Sequence, residues 1–446
     1  MRRITPQRDL FRGPVLSHRQ ARELEMIDRI LLANPSLVEA VWKDLQRHVA
    51  RRALGRPGLS ADQTLRAAIV KQMNGFSYED LAFHLADSLT YRRFCGFTVP
   101  EQAPRKSALA GNIKRISPAT WEAINRVLVG YAKDQGVELG ETLRIDPTVT
   151  ETNIQAPSDN RLLFDSVRVI GRLLKRARTR FGVAYSSRVK RAKRRHIAIM
   201  NARSPGQRRD LYRDLLKITC ETIRYAEEAV LSLNEDDCCD EARRLAASLE
   251  HYAVLARQVV SQTERRVLHG ESVPAAEKLV SIFEPHTDII RKDRRDTYFG
   301  HKVTLSGGRS GLILDWVVED GNPADSTLLT RMLDRLQGIY GAYPRQVSVD
   351  GGFASRENLV SARERGVVDV VFAKKREMRL EEMATSRRVY RRLRDFRAGI
   401  EGMISFLKRV FGLSRCTWRS LPSFCSYVGA SIVSANLLIL ARHLMQ

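Results

Sequence analysis

The chain is poor in the features that hold small extracellular folds together. Its 446 residues include only six cysteines: Cys95, Cys220, Cys238, Cys239, Cys416 and Cys425. Their spacing has neither the paired pattern of a zinc site nor the density of a disulfide framework, so free thiols in a reducing compartment are expected. The basic start, Met1-Arg2-Arg3-Ile4-Thr5-Pro6, has no apolar core behind it, and no secretory signal is expected. One charge-free run, Phe424 to Ala441, is about long enough to span a membrane. It contains Ser426, Ser431, Ser434 and Asn436 and follows Pro422. Polar side chains are costly in lipid, so a buried core helix is expected there. Negative charge is also short: 51 acidic residues face 75 basic ones.

The resulting net charge of +24 points to a polyanionic partner, and nucleic acid is the commonest. Membrane-surface and ribosome-associated proteins share such an excess. A hydrophobic content of 43% with 28% charged residues describes a soluble protein with room for two or three domains.

Within this basic chain three acids stand in distinctive settings. Asp146 follows the strand-like run Leu143-Arg144-Ile145, and Asp350 closes Val347-Ser348-Val349 before Gly351-Gly352. Glu401 lies in an amphipathic helical pattern, with Arg397 four residues before it and Lys408 seven after. Steps of four and seven put those three side chains on one helical face. Two aspartates at strand ends and one helical glutamate are the ligands that hard divalent cations take, and clustered carboxylates need such a cation against mutual repulsion. The plain alternative is a turn aspartate and a solvated helix glutamate.

Residues 1–57 read as a basic helical arm with Arg-rich ends, and 58–130 as a helical block with helix-turn-helix character. Ser60 is the expected N-cap of a helix from Ala61 to Met73 that Gly75 breaks, and a second helix starts near Ser77. Further helices are expected from Lys106 to Ile116 and from Pro118. A first strand falls at about 141–150, within a segment 131–170. Residues 171–290 read as a helical insertion, without Gly or Pro between Gln207 and His269. Between Gly171 and Lys217 it has sixteen Lys or Arg against Asp210 and Asp214, with Arg188, Lys190, Arg191, Lys193, Arg194 and Arg195 nearly together. Such a run attracts a phosphate backbone. Residues 291–446 give a hairpin, Tyr298–Ser306 and Leu312–Val318, then helix, strand to Val349, helix, strand Val367–Phe372, and the helix of Glu401. The order predicts a mixed α/β sheet with helices packed on it.

The residues resemble a bacterial insertion-sequence transposase of the DDE class, ISNCY-type. Leu143-Arg144-Ile145-Asp146-Pro147-Thr148-Val149-Thr150-Glu151-Thr152-Asn153-Ile154 looks like the first catalytic block, and Val349-Asp350-Gly351-Gly352-Phe353 like the second. Arg397, Glu401 and Lys408 fit the third, whose pattern is Tyr, two residues, Arg, three, Glu, six, Lys; Arg394 stands at the Tyr position. Leu59 to Phe97 is similar to the family's N-terminal helical domain, through Tyr78-Glu79-Asp80-Leu81, Asp87-Ser88-Leu89 and Arg92-Arg93-Phe94.

The resemblance implies an RNase H-like catalytic core, interrupted after its first strand by the helical insertion and preceded by an all-α DNA-binding domain. It implies DNA strand cleavage and strand transfer, with Asp146, Asp350 and Glu401 holding two Mg²⁺ ions, for which Mn²⁺ would substitute. Arg397 and Lys408 would hold the backbone beside the scissile phosphate, and residues 58–130, which include Lys106, would read the terminal inverted repeats. Glu151 and Asp165 are set aside as bystanders, and His301 is assigned a structural or DNA-facing role. Element ends and target DNA are the expected partners, a homodimer or larger assembly the expected form, and the bacterial cytoplasm, at the nucleoid, the expected place. A silent DNA-binding derivative, a stand-alone nuclease and an RNA-binding protein are the alternatives.

Overall fold

Capping residues set the helices of the N-terminal region in the computed structural model. Helices α1 (Arg19–Ala33) and α2 (Ser36–Arg47) come first. Ser60 and Gln63 form a capping box that opens α3 (Ala61–Asn74), and Gly75 ends it in the left-handed region at φ 64°. A second box, Ser77 with Asp80, opens α4 (Tyr78–Asp87). Then follow α5 (Leu89–Phe94), α6 (Lys106–Ile113) and α7 (Pro118–Asp134). The described residues are 4–5, 17–47, 58–98, 100–234, 239–292, 296–374 and 378–446. Both Arg-rich ends of the expected arm, and Cys238, lie outside them.

The chain divides into two compact units, 1–153 with 301–446, and 154–300. Strand β1 (Thr142–Glu151) belongs to the first. The second contains α8 (Asp159–Phe181), α9 (Val189–Asn201), α10 (Pro205–Leu233), α11 (Asp240–Thr263) and β2 (Asp288–Lys292). Helices α8, α10 and α11 pack mutually around Leu163, Ile170, Leu215 and Leu249, with α9 laid against α8 and α10. The helical stretch expected after Gln207 is divided between two helices. Helix α10 stops at Asn234, and α11 gives way to a π turn at Glu264–Leu268. Absence of Gly and Pro permits a long helix but does not enforce one, and Asn or Asp side chains compete for backbone partners.

Back in the first unit the chain forms β3 (Asp296–Gly307, entering from the second unit), β4 (Ile313–Val318), α12 (Leu329–Tyr340), β5 (Gln346–Val349), α13 (Arg356–Glu364) and β6 (Asp369–Phe372). It closes with α14 (Leu380–Met383), α15 (Arg387–Val410) and α16 (Leu421–Leu444). The strands run in the order β4-β3-β1-β5-β6. Strands β1, β5 and β6 are parallel, while β3 and β4 form an antiparallel hairpin. This is the mixed α/β core expected. Strand β2, absent from that expectation, pairs antiparallel with the start of β3, Asp288 beside Gly300.

Helix α16 is the charge-free run, and it is a core helix: Val428, Ile432, Val433, Ala435 and Leu437 are buried among α7, α1 and α3. Of its polar residues, Ser426, Ser431 and Asn436 have partners, whereas the Ser434 hydroxyl is buried without one among the described residues. Asn436 donates to the Asn125 Oδ1 and to the Ile313 carbonyl, both at 2.7 Å, and accepts from the Ile313 N–H at 2.9 Å. That amide ties α16 to β4 and α7. Asn436→Leu keeps the volume but strips three partners in a buried place. It should lower unfolding free energy by roughly 2–3 kcal/mol in a urea titration, and an unchanged midpoint would show the bonds to be dispensable.

Candidate active site

Strand and helix periodicity bring the three acids together. Parallel pairing sets Arg144 beside Ser348 and Ile145 beside Val349. Asp146 and Asp350 are the next residues on each strand. Asp146 lies inside its strand rather than at its end: β1 runs to Glu151, close to the 141–150 expected, through the β-branched run Thr148-Val149-Thr150. It is β5 that stops, so Asp146 stands where the parallel neighbour runs out. Asp350 caps a short 3-10 turn, Gly351–Phe353. Side chains on both glycines would collide, at Gly351 with Lys374 Cβ at 2.9 Å and at Gly352 with Asp325 Oδ2 at 2.6 Å. Asp325 is itself held by the nearly buried Lys302 of β3, so the turn after Asp350 is braced from the hairpin.

Helix α15 lies across β1, β5 and β6 and supplies Arg397 and Glu401. The Arg397 guanidinium sits among all three carboxylates. Its Nη2 is 3.4 Å from Asp350 Oδ1 and 3.9 Å from Asp146 Oδ2, and its Nη1 is 3.5 Å from Glu401 Oε1. Arg397 and Asp146 are mostly enclosed, at 17% and 18% side-chain exposure, whereas Glu401 is 67% exposed and leaves the site open on its side. Among the described residues no three His, Cys, Asp or Glu side chains sit closely enough to hold a metal ion as they stand. The acids are spaced around a guanidinium. Their chemistry nevertheless fits a hard divalent cation: three oxygen donors turn toward one positive centre.

Lys408, in the last turn of α15, is half-buried, and Arg394 at the Tyr position is exposed. His301 is buried with its ring edge-on to Phe424, a packing role. Lys106 is exposed at the start of α6 and pairs with Glu79 at 3.0 Å. Glu151 pairs with Arg415, and Asp165 with Arg161 and Arg168.

The basic run lies in the second unit, on α9 and its N-cap Arg188, and three of its six cations are paired with two acids. Arg188 pairs with Glu221 at 3.0 Å, and Arg191 and Arg195 both grip Asp214. Burial alone would raise the Asp214 carboxyl; the hydrogen bonds and charges of the two arginines outweigh it and hold the group below the usual carboxylate range. Lys190, Lys193 and Arg194 stay exposed, and none of the three carries an ion pair among the described residues.

Sequence reasoning missed the residues that seat α15. Ser348 Oγ donates to the Leu393 carbonyl at 2.8 Å, Arg392 reaches Gln346 at 3.1 Å, and Arg144 donates to the Phe396 carbonyl at 2.9 Å. Alternation was the available signal: Arg144 shares a strand face with Asp146, and Ser348 with Asp350.

A family model described as a transposase DDE domain matches residues 278–437, which include Asp350 and Glu401 but not Asp146. A second, described as a transposase domain (DUF772), matches residues 20–115 of the helical region. No curated protein and no solved structure matches the chain. With the DDE domain goes an RNase H-like fold, in keeping with the mixed sheet of the first unit.

Removing the internal cation should leave three carboxylates to repel one another. Arg397→Met is expected to lower the metal-free thermal midpoint by roughly 1–3 °C, and Mn²⁺ should then raise it by more than in wild type. Identical midpoints with and without Mn²⁺ in both proteins would mean that these acids do not share a cation.

Proposed function

The chain belongs to the insertion-sequence transposases of the DDE class, and on that premise we propose that Asp146, Asp350 and Glu401 are its catalytic carboxylates. The reaction would be cleavage of DNA at the ends of an insertion sequence, followed by joining of the freed end to target DNA. The observation that carries this reading is the convergence of three acids, from two neighbouring strands and the facing helix, on the single cation Arg397.

Transposases of this class act on DNA and use divalent ions; Mg²⁺, with Mn²⁺ as substitute, is the proposed cofactor here. Two such ions, when bound, would lower the pKa of the attacking hydroxyl and neutralise charge on the phosphate and the leaving oxygen. Asp146 and Asp350 would hold them from the sheet, with Glu401 completing the donor set from α15. Arg397, freed from the carboxylates, would pair with the phosphate backbone, and Lys408 would hold the strand farther along the helix. Water attack on the phosphodiester breaks one P–O bond and leaves a 3′-hydroxyl. Attack by that hydroxyl on a target phosphodiester forms the joined strand and releases a target 3′-hydroxyl. Neither step needs a covalent protein intermediate, so no Ser or Tyr nucleophile is assigned.

Residues 58–130 are the proposed reader of the terminal repeats, and a dimer or larger assembly would hold two ends at once. On α9, Lys190, Lys193 and Arg194 would add a sequence-independent grip, because their charges are not already taken by acids.

Wild type and Asp350→Ala, incubated with labelled element-end DNA and Mg²⁺ or Mn²⁺, provide the test. Metal-dependent nicking and joined products are expected from wild type alone, with equal DNA binding by both. Binding without chemistry from wild type would overturn the proposal in favour of a silent copy, and nicks without joined products in favour of a nuclease. Replacing Lys190, Lys193 and Arg194 by Gln should reduce the salt dependence of DNA binding by about three in log–log slope, one per lost phosphate contact. An unchanged slope would remove α9 from the interface.

A further inference from the structure

Two residues before Asp146, and on the same strand face, Arg144 is only 7% exposed. Its Nη1 donates to the Phe396 carbonyl at 2.9 Å, its Nη2 reaches the Met403 sulfur at 2.8 Å, and the guanidinium lies 4.6 Å from the centre of the Phe396 ring. These contacts span two turns of α15. The slot they fill is made by glycines. A Cβ on Gly399 would stand 2.1 Å from Arg144 Nη1, and one on Gly307 2.6 Å from Met403 Cε and 3.5 Å from Arg144 Nε.

We propose that Arg144 is a positioning residue: wedged into this slot, its guanidinium fixes α15 along the sheet, so that Arg397 and Glu401 face Asp146 and Asp350. The inference rests on the reading of those acids as the catalytic set. Its physical basis is the cost of the arrangement. No carboxylate pairs with Arg144 among the described residues, and its Nε is buried without a partner. An apolar side chain would fill such a place at less cost. What only the planar fork adds is a pair of directional contacts, seven residues apart on the helix, that oppose sliding and rotation. Arg397 directly follows Phe396, and Glu401 follows Ile400 on the next turn. A slip of α15 by one residue, about 1.5 Å of rise, would carry both away from the strand acids. Displacements of that size cost on the order of a hundred-fold in rate.

The test compares full-length wild type, Arg144→Met and Asp350→Ala in three measurements: thermal midpoint, Mn²⁺ affinity by electron paramagnetic resonance titration, and cleavage of element-end DNA. Arg144→Met should match or exceed the wild-type midpoint, yet bind Mn²⁺ about ten-fold more weakly and cut more slowly. A residue that served packing alone would move the midpoint and spare the affinity. Gly399→Ala should destabilise wild type and be tolerated in the Arg144→Met background, where the wedge is gone; equal cost in both backgrounds would overturn the slot. Should Arg144→Met not fold, Arg144→Lys keeps the charge without the fork and carries the same expectations. Wild-type Mn²⁺ affinity in a folded Arg144 variant, or no Mn²⁺ binding by any form, overturns the inference. Mn²⁺ binding by wild type without cleavage would overturn the transposase chemistry instead, and the affinities would still decide the role of Arg144.

Discussion

Parallel pairing of β1 with β5 is the constraint from which the site follows. Parallel neighbours cannot be joined by a tight turn; the chain must leave the sheet and return. Here that excursion contains the whole second unit, then β3, β4 and α12. Asp146 and Asp350 can therefore be 204 residues apart in sequence (350 − 146) and still stand on neighbouring strands. The pairing also orders what faces α15 into rows. Thr142 lies beside Gln346, Arg144 beside Ser348, and the two aspartates follow. The first two rows fasten the helix through Arg392, Leu393 and Phe396, while the third meets Arg397 and Glu401. Fastening and chemistry use one strand face at successive steps of two.

Electrostatics makes the site's central charge a necessity. Three carboxylates within reach of one another destabilise the fold unless a cation lies between them, and an approaching phosphate would add a fourth repulsion. Arg397 meets the first need in the protein alone. The second unit shows the reverse arrangement, in which acids temper a basic run: Glu221 and Asp214 occupy three of the six cations at α9. A count of lysine and arginine in sequence thus overstates the charge that an incoming polyanion would meet.

Much of the fold could be read from sequence because it rests on local signals. Ser60, Gly75 and Ser77 mark helix ends through their own backbone chemistry, and the strands of the core carry Val and Ile in short runs. The burial of α16 was legible from Asn436, a polar residue that needs partners rather than lipid. Other features depend on what a segment touches. The break at Asn234 and the added strand β2 have no clear local signature, since a polar stretch can equally continue a helix or end it. At the candidate site, residue spacing picked out Asp350, Glu401 and Arg397, but the side chains under α15 were invisible. Arg144 in sequence is one more arginine in a chain that has many.

That arginine also bears on how such a site is kept in shape. On the sheet face that meets α15, Val371 lies beside Ser348, and the side chains of Val371 and of Leu393 and Ile400 on α15 are buried and make no directional bonds. Apolar packing of this kind sets how far a helix lies from a sheet but only weakly where it lies along it, because ridges and grooves repeat. Hydrogen bonds to single carbonyls do not repeat. Ser348 at Leu393 and Arg144 at Phe396 therefore supply the axial and rotational information that the apolar layer lacks. A guanidinium in that layer goes against the local preference for apolar side chains. Such conflicts are expected where geometry matters more than stability. Gly399 gives up helix propensity and leaves the volume the wedge occupies, and Gly307 gives up strand propensity and leaves room for Met403, the wedge's second contact. Three residues unfavourable to their own elements converge on one contact, a single step along β1 from Asp146.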